Sequence, residues 1–322
     1  MLARALWLGY CVELAIYGVG GILLWRHAGL ALGQIALFAL GILLTVRTFF
    51  VALTFAVAWW FRSQAPAELR IGTIGVLKLF GEELGATLLL YLVLFPLERW
   101  LEGGRLRQSP DRHGSPPVLL IHGFFCNRAY WWPMKRFLRS RGFDDLFTLD
   151  LEPLLGSIEG FARQVAARVE QIQRITGARQ IILVAHSMGG LAARRYVQRY
   201  GGADAVAKLI TLGSPHHGTE HARLVGGEDV RQMRPGSRWL GKLNEGESQP
   251  APVPITSIYS CQDNIIAPQT SPVLSHAKNI PLAGVGHLAM TFSKQVQRLV
   301  YHESKFLGVD ANLNPLSSPG GS

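Results

Sequence analysis

Cysteine is scarce: Cys11, Cys126 and Cys261 are the only three in 322 residues, and no C-x-x-C pair occurs. That spacing excludes a disulfide framework and a thiolate zinc site. Charged residues make up only 17% of the chain against 48% hydrophobic residues, and glycine has no triplet period, so a disordered chain and a collagen are excluded as well. The chain is basic, with net charge +10 and pI about 9.8. Its positive residues are nevertheless scattered along amphipathic segments without a DNA- or RNA-binding signature. Attraction to anionic lipid headgroups suits this pattern better than nucleic acid does.

What is present is unevenly distributed. Of the first 100 residues 66 are apolar, against about two in five of the remainder. The first 100 carry 7 Lys/Arg and 5 Asp/Glu, and the remaining 222 carry 25 and 17. A single uniform domain is thereby excluded, and the long remainder has room for one α/β domain with a full core.

Ala5 to Trp25 is apolar except for Glu13, matching the roughly 20 residues that a helix needs to cross about 30 Å of hydrocarbon. A second apolar run follows at once, so the first reads as a retained helix rather than a cleaved signal. Ala28 to Phe61 is interrupted only by Gln34 and Arg47, and it is read as one long helix because no Pro, Asn or Asp marks a turn. Leu84 to Leu97, extended back through Leu79, makes a third candidate, giving two or three spans within 1–100. Glu13 and Arg47 are read as a structural pair between adjacent helices or as snorkelling side chains, ahead of a functional intramembrane site. Residues 101–116 read as a linker, 117–308 as the soluble domain and 309–322 as a flexible tail. Basic residues flanking the spans divide almost evenly and lean toward a cytoplasmic domain.

Beyond Pro117, short apolar runs alternate with helical patterns. Strands are expected at Val118 to Ile121, Leu146 to Leu151, Ile181 to Ala185, Leu209 to Leu212, Ile255 to Tyr259 and Ile280 to Leu282. Helices are expected at Ile158 to Ile175, Met188 to Tyr200 and Leu288 to Leu307. This alternation predicts an α/β domain with a mostly parallel sheet and helices on both faces. Ligands in such folds sit at the carboxyl ends of the strands.

At one such end stands Ala185-His186-Ser187-Met188-Gly189-Gly190. Small residues two before and two after Ser187 permit a sharp strand-to-helix turn that presents its hydroxyl above the sheet. A serine nucleophile needs a base and an acid behind that base, in the chain order Ser, Asp or Glu, His. His287, in the glycine-flanked loop Ala283-Gly284-Val285-Gly286-His287, is the candidate base, ahead of His276 and His302. Asp263, just beyond the strand Ile255 to Tyr259, is the candidate acid. Glu228, Asp229, Glu245 and Glu247 are read as solvated residues of a polar insertion. The oxyanion donors are expected to be the N–H groups of Met188 and of Phe124, which follows His122-Gly123. His122 is assigned a loop-anchoring role.

Together these segments resemble the bacterial lipase branch of the α/β hydrolases, particularly the small Bacillus-type lipases. The Ala-His-Ser-Met-Gly elbow, the His-Gly loop, Ile255-Thr256-Ser257-Ile258-Tyr259-Ser260 and Gly284-Val285-Gly286-His287 carry the likeness, over about Pro117 to Phe306. The stretch Thr211 to Gly218 is similar to the lipase segment that follows the sixth strand. The resemblance implies an α/β hydrolase fold preceded by transmembrane helices, and an ester hydrolase of lipase or esterase type with no cofactor and no metal. Its partners would be a lipid-like ester and the bilayer, in a bacterial inner membrane. A thioesterase or acyltransferase of the same fold is the alternative, and a non-catalytic membrane scaffold is an alternative of another class. His216, His217 and His221 are read as part of a turn rather than a metal cluster. The insertion 218–254 is a candidate lid or ordinary packing, and Phe124, Phe125, Tyr130, Trp131 and Trp132 are read as lining the acyl site or touching the bilayer, with core packing as the alternative.

Overall fold

The computed structural model describes residues 1–102, 116–247 and 249–305. Most of the expected linker and the whole expected tail lie outside the described residues, while Leu101 and Glu102 belong to a helix.

Two helices open the chain, α1 (Leu2–Ala28) and α2 (Leu32–Trp60). Gly29 ends α1 in the left-handed conformation, φ 66°, and its N–H caps the Leu24 carbonyl, so the chain reverses within three residues. Both are long and apolar enough to cross a membrane. At 1.5 Å per residue they extend about 40 Å and 44 Å, and Leu8, Leu14, Ile16, Leu37 and Phe49 along them are largely exposed. Arg47 Nη1 and Nη2 donate to Glu13 Oε1 and Oε2 at 2.5 and 2.6 Å, a structural pair between the two helices. As the sequence suggests, α2 is one unbroken helix.

Helix α3 (Thr73–Leu89) continues into a π-helical turn at Leu90–Leu94 and a short α4 (Glu98–Glu102). Its Leu79, Glu83, Ala86, Leu90, Leu94 and Phe95 are buried. The run Leu84 to Leu97 thus divides between α3 and the π-helical turn, and among the described residues α1 and α2 are the two helices long and apolar enough to cross a membrane, within the two or three spans expected.

That domain is built on six strands, β1 (Val118–Ile121), β2 (Leu146–Leu149), β3 (Ile181–His186), β4 (Val206–Leu212), β5 (Ile255–Ser260) and β6 (Lys278–Leu282). They lie in the order β2-β1-β3-β4-β5-β6 and every pairing is parallel. The helices are α5 (Trp132–Arg139), α6 (Ile158–Thr176), α7 (Met188–Arg199), α8 (Gly202–Ala205), α9 (Glu228–Gln232), α10 (Arg238–Asn244) and α11 (Lys294–Lys305). Ser157 caps α6 by accepting from the Gly160 N–H at 3.0 Å. The final helix is shorter than the sequence suggests, because a 3-10 turn at Leu288–Thr291 precedes α11.

Strands buried on both faces read as continuous apolar runs, as Ile181-Ile182-Leu183-Val184 does. Alternate residues divide between two cores: Leu119, Ile121, Leu183 and Leu209 face α6 and α7, and Val118, Leu120, Ile182 and Ile210 face the other way. The second core takes in Leu2, Leu90, Leu94 and Phe95, so the N-terminal helices share the interior of the domain. Tyr130 and Trp131 are fully buried in it, the core-packing alternative for these two. Asp229, expected to be solvated, is also fully buried, with Oδ1 accepting from the Val230 N–H.

Candidate active site

The sheet order reverses between β1 and β3, which place their carboxyl ends side by side, with Ile121 paired to Ala185. Such a reversal opens a crevice for ligand in parallel sheets. Ser187 follows β3 at this point with φ 54° and ψ −129°, a strained conformation for a residue with a side chain. The strain is tolerated because the surroundings are tight and fixed. A Cβ on Gly189 would lie 2.5 Å from the His122 carbonyl oxygen, and one on Gly123 would lie 2.6 Å from Ser187 Cβ. Only glycine lets the β1 loop and the turn into α7 approach so closely.

Across the sheet, β5 delivers Asp263 and β6 delivers His287. His287 Nδ1 lies 2.8 Å from Asp263 Oδ2, and both residues are buried. Asp263 Oδ1 accepts from the Ile265 and Ile266 N–H groups, each at 2.8 Å, which locks the carboxylate. Asn264 Oδ1 accepts from the His287 N–H at 3.0 Å. With Nδ1–H given to Asp263, Nε2 is left as the basic nitrogen. Burial alone pulls His287 down, but the Asp263 charge and hydrogen bond, helped by the Glu83 charge, raise it above the ordinary histidine value.

His186 joins the two halves of the site. Its ring stacks on Tyr130 at 4.3 Å between centroids, stands 4.5 Å from the His287 ring, and its Nε2 lies 3.2 Å from the His287 carbonyl oxygen. Burial first, then the charge of His287, holds its pKa well below the ordinary value, so it is a neutral spacer. Among the described residues neither the Ser187 hydroxyl nor the N–H groups of Phe124 and Met188 has a hydrogen-bond partner. Phe124 lies on the loop after β1, and Ser187 and Met188 lie at the turn into α7. His122, pushed down to about 4 by burial, accepts from the Leu151 N–H at 3.1 Å. It therefore ties the β1 loop to the chain beyond β2.

The rival candidates lie elsewhere. His276 Nδ1 donates to the Glu247 carbonyl, and His302 lies within α11. His216 contacts Thr211 Oγ1, His217 contacts Ser271 and Glu247, and His221 contacts the Thr54 carbonyl, so the three imidazoles diverge. Within the insertion, α9 and α10 bury Val230, Met233, Leu240 and Leu243 in the first core.

The N-terminal segment reaches the loops of the site that follow β1, β5 and β6. Tyr91 Oη donates to the Phe125 carbonyl at 3.0 Å, and Asn127 Nδ2 donates to the Phe95 carbonyl at 3.0 Å. Asn264 Nδ2 donates to Thr54 Oγ1 at 2.9 Å, and Gln262 Nε2 to the Leu69 carbonyl at 2.9 Å. Leu288 and Ala289 N–H donate to Glu83 Oε1 and Oε2, each at 2.9 Å. A cavity of about 380 Å³ lies among these elements, lined by Leu6, Val51, Leu88, Tyr91, Ile265 and Leu288. Another, of about 340 Å³ beside Arg194 and His276, touches none of Ser187, Asp263 and His287. No local pattern in the sequence points to Glu83 as part of the site, since α3 brings it there by packing, whereas His186 and Asn264 adjoin Ser187 and Asp263 in the chain.

Residues 116–236 match the family model described as alpha/beta hydrolase fold. Triacylglycerol lipases of Pseudarthrobacter phenanthrenivorans and Burkholderia plantarii are each 34% identical over 127 residues, 37% of this chain and 38% and 34% of those proteins. The chain thus spans little more than a third of the curated relatives it matches. Among solved structures, Aspergillus fumigatus lipase B superposes with TM-score 0.56 at 20% identity, over 61% of this chain and 54% of that one. Mature Bacillus licheniformis lipase BlEst2 superposes with TM-score 0.54 at 19% identity, over 61% and 93%. At these identities the structures speak for the fold, which agrees with the parallel sheet and with the motif match. Residues 116–236 thus lie in a domain with the α/β hydrolase fold.

Proposed function

We propose that this protein is a membrane-anchored serine hydrolase that cleaves carboxylic esters of lipid-like substrates. The reading rests above all on one observation: a strained, amide-flanked Ser187 stands across the sheet ends from a buried His287 that is oriented by Asp263. Ser187 Oγ attacks the ester carbonyl while His287 Nε2 takes its proton. Asp263 holds Nδ1–H and balances the imidazolium. The N–H groups of Phe124 and Met188 receive the oxyanion, and loss of one such donor costs about 10²–10³ in kcat. His287 then protonates the leaving alcohol, and water releases the acyl group by the same path in reverse. No cofactor enters this scheme.

Helices α1 and α2 supply the anchor, in a bacterial inner membrane with the domain on the cytoplasmic side. The lipase relatives support lipid esters as the substrate class, and an apolar ester concentrates in the bilayer beside the site. A fluorophosphonate probe should label Ser187, and a series of p-nitrophenyl esters should be cleaved with preference for longer acyl chains. Esterase activity retained by Ser187→Ala sinks the mechanism, and preference for short chains sinks the lipid assignment. Protease accessibility in intact cells reads the orientation.

A further inference from the structure

The N-terminal helices are more than an anchor, because α3 places a carboxylate under the loop that carries His287. We infer that Glu83 is a positioning residue for His287, so that the active centre is completed by the helical segment that precedes the α/β hydrolase domain. This inference rests on the reading of His287 as the general base.

The geometry is specific. His287 is the residue from which the 3-10 turn Leu288–Thr291 starts, and the first N–H groups of a helical turn have no partner within it. Glu83 receives two of them, Leu288 N–H on Oε1 and Ala289 N–H on Oε2, each at 2.9 Å. Its side chain is 1% exposed. Contact is so close that a Cβ on Gly286 would lie 2.3 Å from Glu83 Oε2. An acceptor on both oxygens is what a carboxylate provides, whereas an amide offers one acceptor and sets its NH₂ against the second N–H.

A buried carboxylate this close also acts through its charge. The titratable groups interacting with Glu83 are His287 and Asp263, with Tyr91 and Tyr130 alongside, and those interacting with His287 are Asp263, Glu83, His186 and His221. His186 and His221 are held below the ordinary histidine value, by burial first, and add no fixed positive charge. Burial raises the Glu83 carboxyl, while the two N–H bonds and the His287 charge oppose that rise. The charges of Glu83 and His287 act on one another, and the imidazolium formed when Ser187 gives up its proton lies beside the carboxyl groups of both Asp263 and Glu83.

The test follows the titration of His287 by NMR in the histidine-labelled full chain in detergent, with His287→Ala for assignment. In Glu83→Gln the His287 titration is expected to move down by about one pH unit or more, and kcat is expected to fall at least about tenfold with KM little changed. Glu83→Asp keeps the charge but draws it back by one methylene, and is expected to move the titration the same way by less. If Glu83→Gln fails to fold, Glu83→Asp carries the test. An unmoved His287 titration in whichever variant folds overturns the inference. Absence of esterase activity in the unaltered protein overturns the proposed function instead, and the NMR readout stands apart from it.

Discussion

Asn264 Nδ2 donates to Thr54 Oγ1 at 2.9 Å, so the second apolar helix holds the residue whose Oδ1 accepts the His287 N–H. Thr54→Val removes the acceptor while keeping the shape. A neutral hydrogen bond of about 1 kcal/mol corresponds to roughly a fivefold loss in kcat/KM. Asn264→Ala leaves the buried His287 N–H unpaired, and kcat should fall by about ten- to a hundredfold. Equal activity of both variants with the unaltered protein would show that His287 is held without this chain of contacts.

The pH profile of ester cleavage should follow His287. Its pKa is raised, and a general base works only when deprotonated, so kcat/KM should rise with pH through a midpoint above the ordinary histidine value of about 6.5. Asp263→Asn removes the largest upward influence on the imidazole and its orienting partner. Its acid limb should move to lower pH, and kcat should fall by on the order of 10⁴. A midpoint at or below 6.5 in the unaltered enzyme would contradict the Asp263–His287 pair as the working base.

Gly189→Ala drives a methyl group against the backbone oxygens of His122 and Ile121, at 2.5 and 2.8 Å. Backbone at that contact yields little, so destabilisation of about 1–3 kcal/mol is expected, read as a lower thermal midpoint with reduced activity. In Gly81→Ala the added carbon meets nothing within 4 Å, and helix propensity favours it. That control should leave the midpoint unchanged or slightly raised. Equal behaviour of the two variants would remove the close approach as the reason for glycine at position 189.

The Glu13–Arg47 pair predicts a double-mutant outcome. In a bilayer, removing one partner strands a charge in apolar surroundings, and removing both does not. Glu13→Ala and Arg47→Ala should each lower the thermal midpoint in lipid nanodiscs more than the double variant does. Strictly additive effects would mean that the two side chains are independently solvated.

Much of the domain was legible in the sequence because the signals are local. The continuous apolar run of β3 marks a strand covered on both faces, and the small residues around Ser187 mark the turn that follows. The order Ser187, Asp263, His287 emerges from the strands that precede each residue. Where the reading went astray, burial was decided by packing at a distance. Asp229 lies in a polar insertion yet is buried.

Local chemistry, then, let the sequence by itself determine the composition step, two long apolar helices, the alternating strands and helices, and the residues expected to act. Only the tertiary structure decided that Glu83, Thr54 and Tyr91 of the N-terminal segment hydrogen-bond to the loops of the site. Those partners lie more than 30 residues away in the chain, and for Glu83 and Thr54 more than 200. The physical reason is that hydrogen-bond complementarity at such separation depends on how helices dock, which no periodicity or motif in the chain encodes.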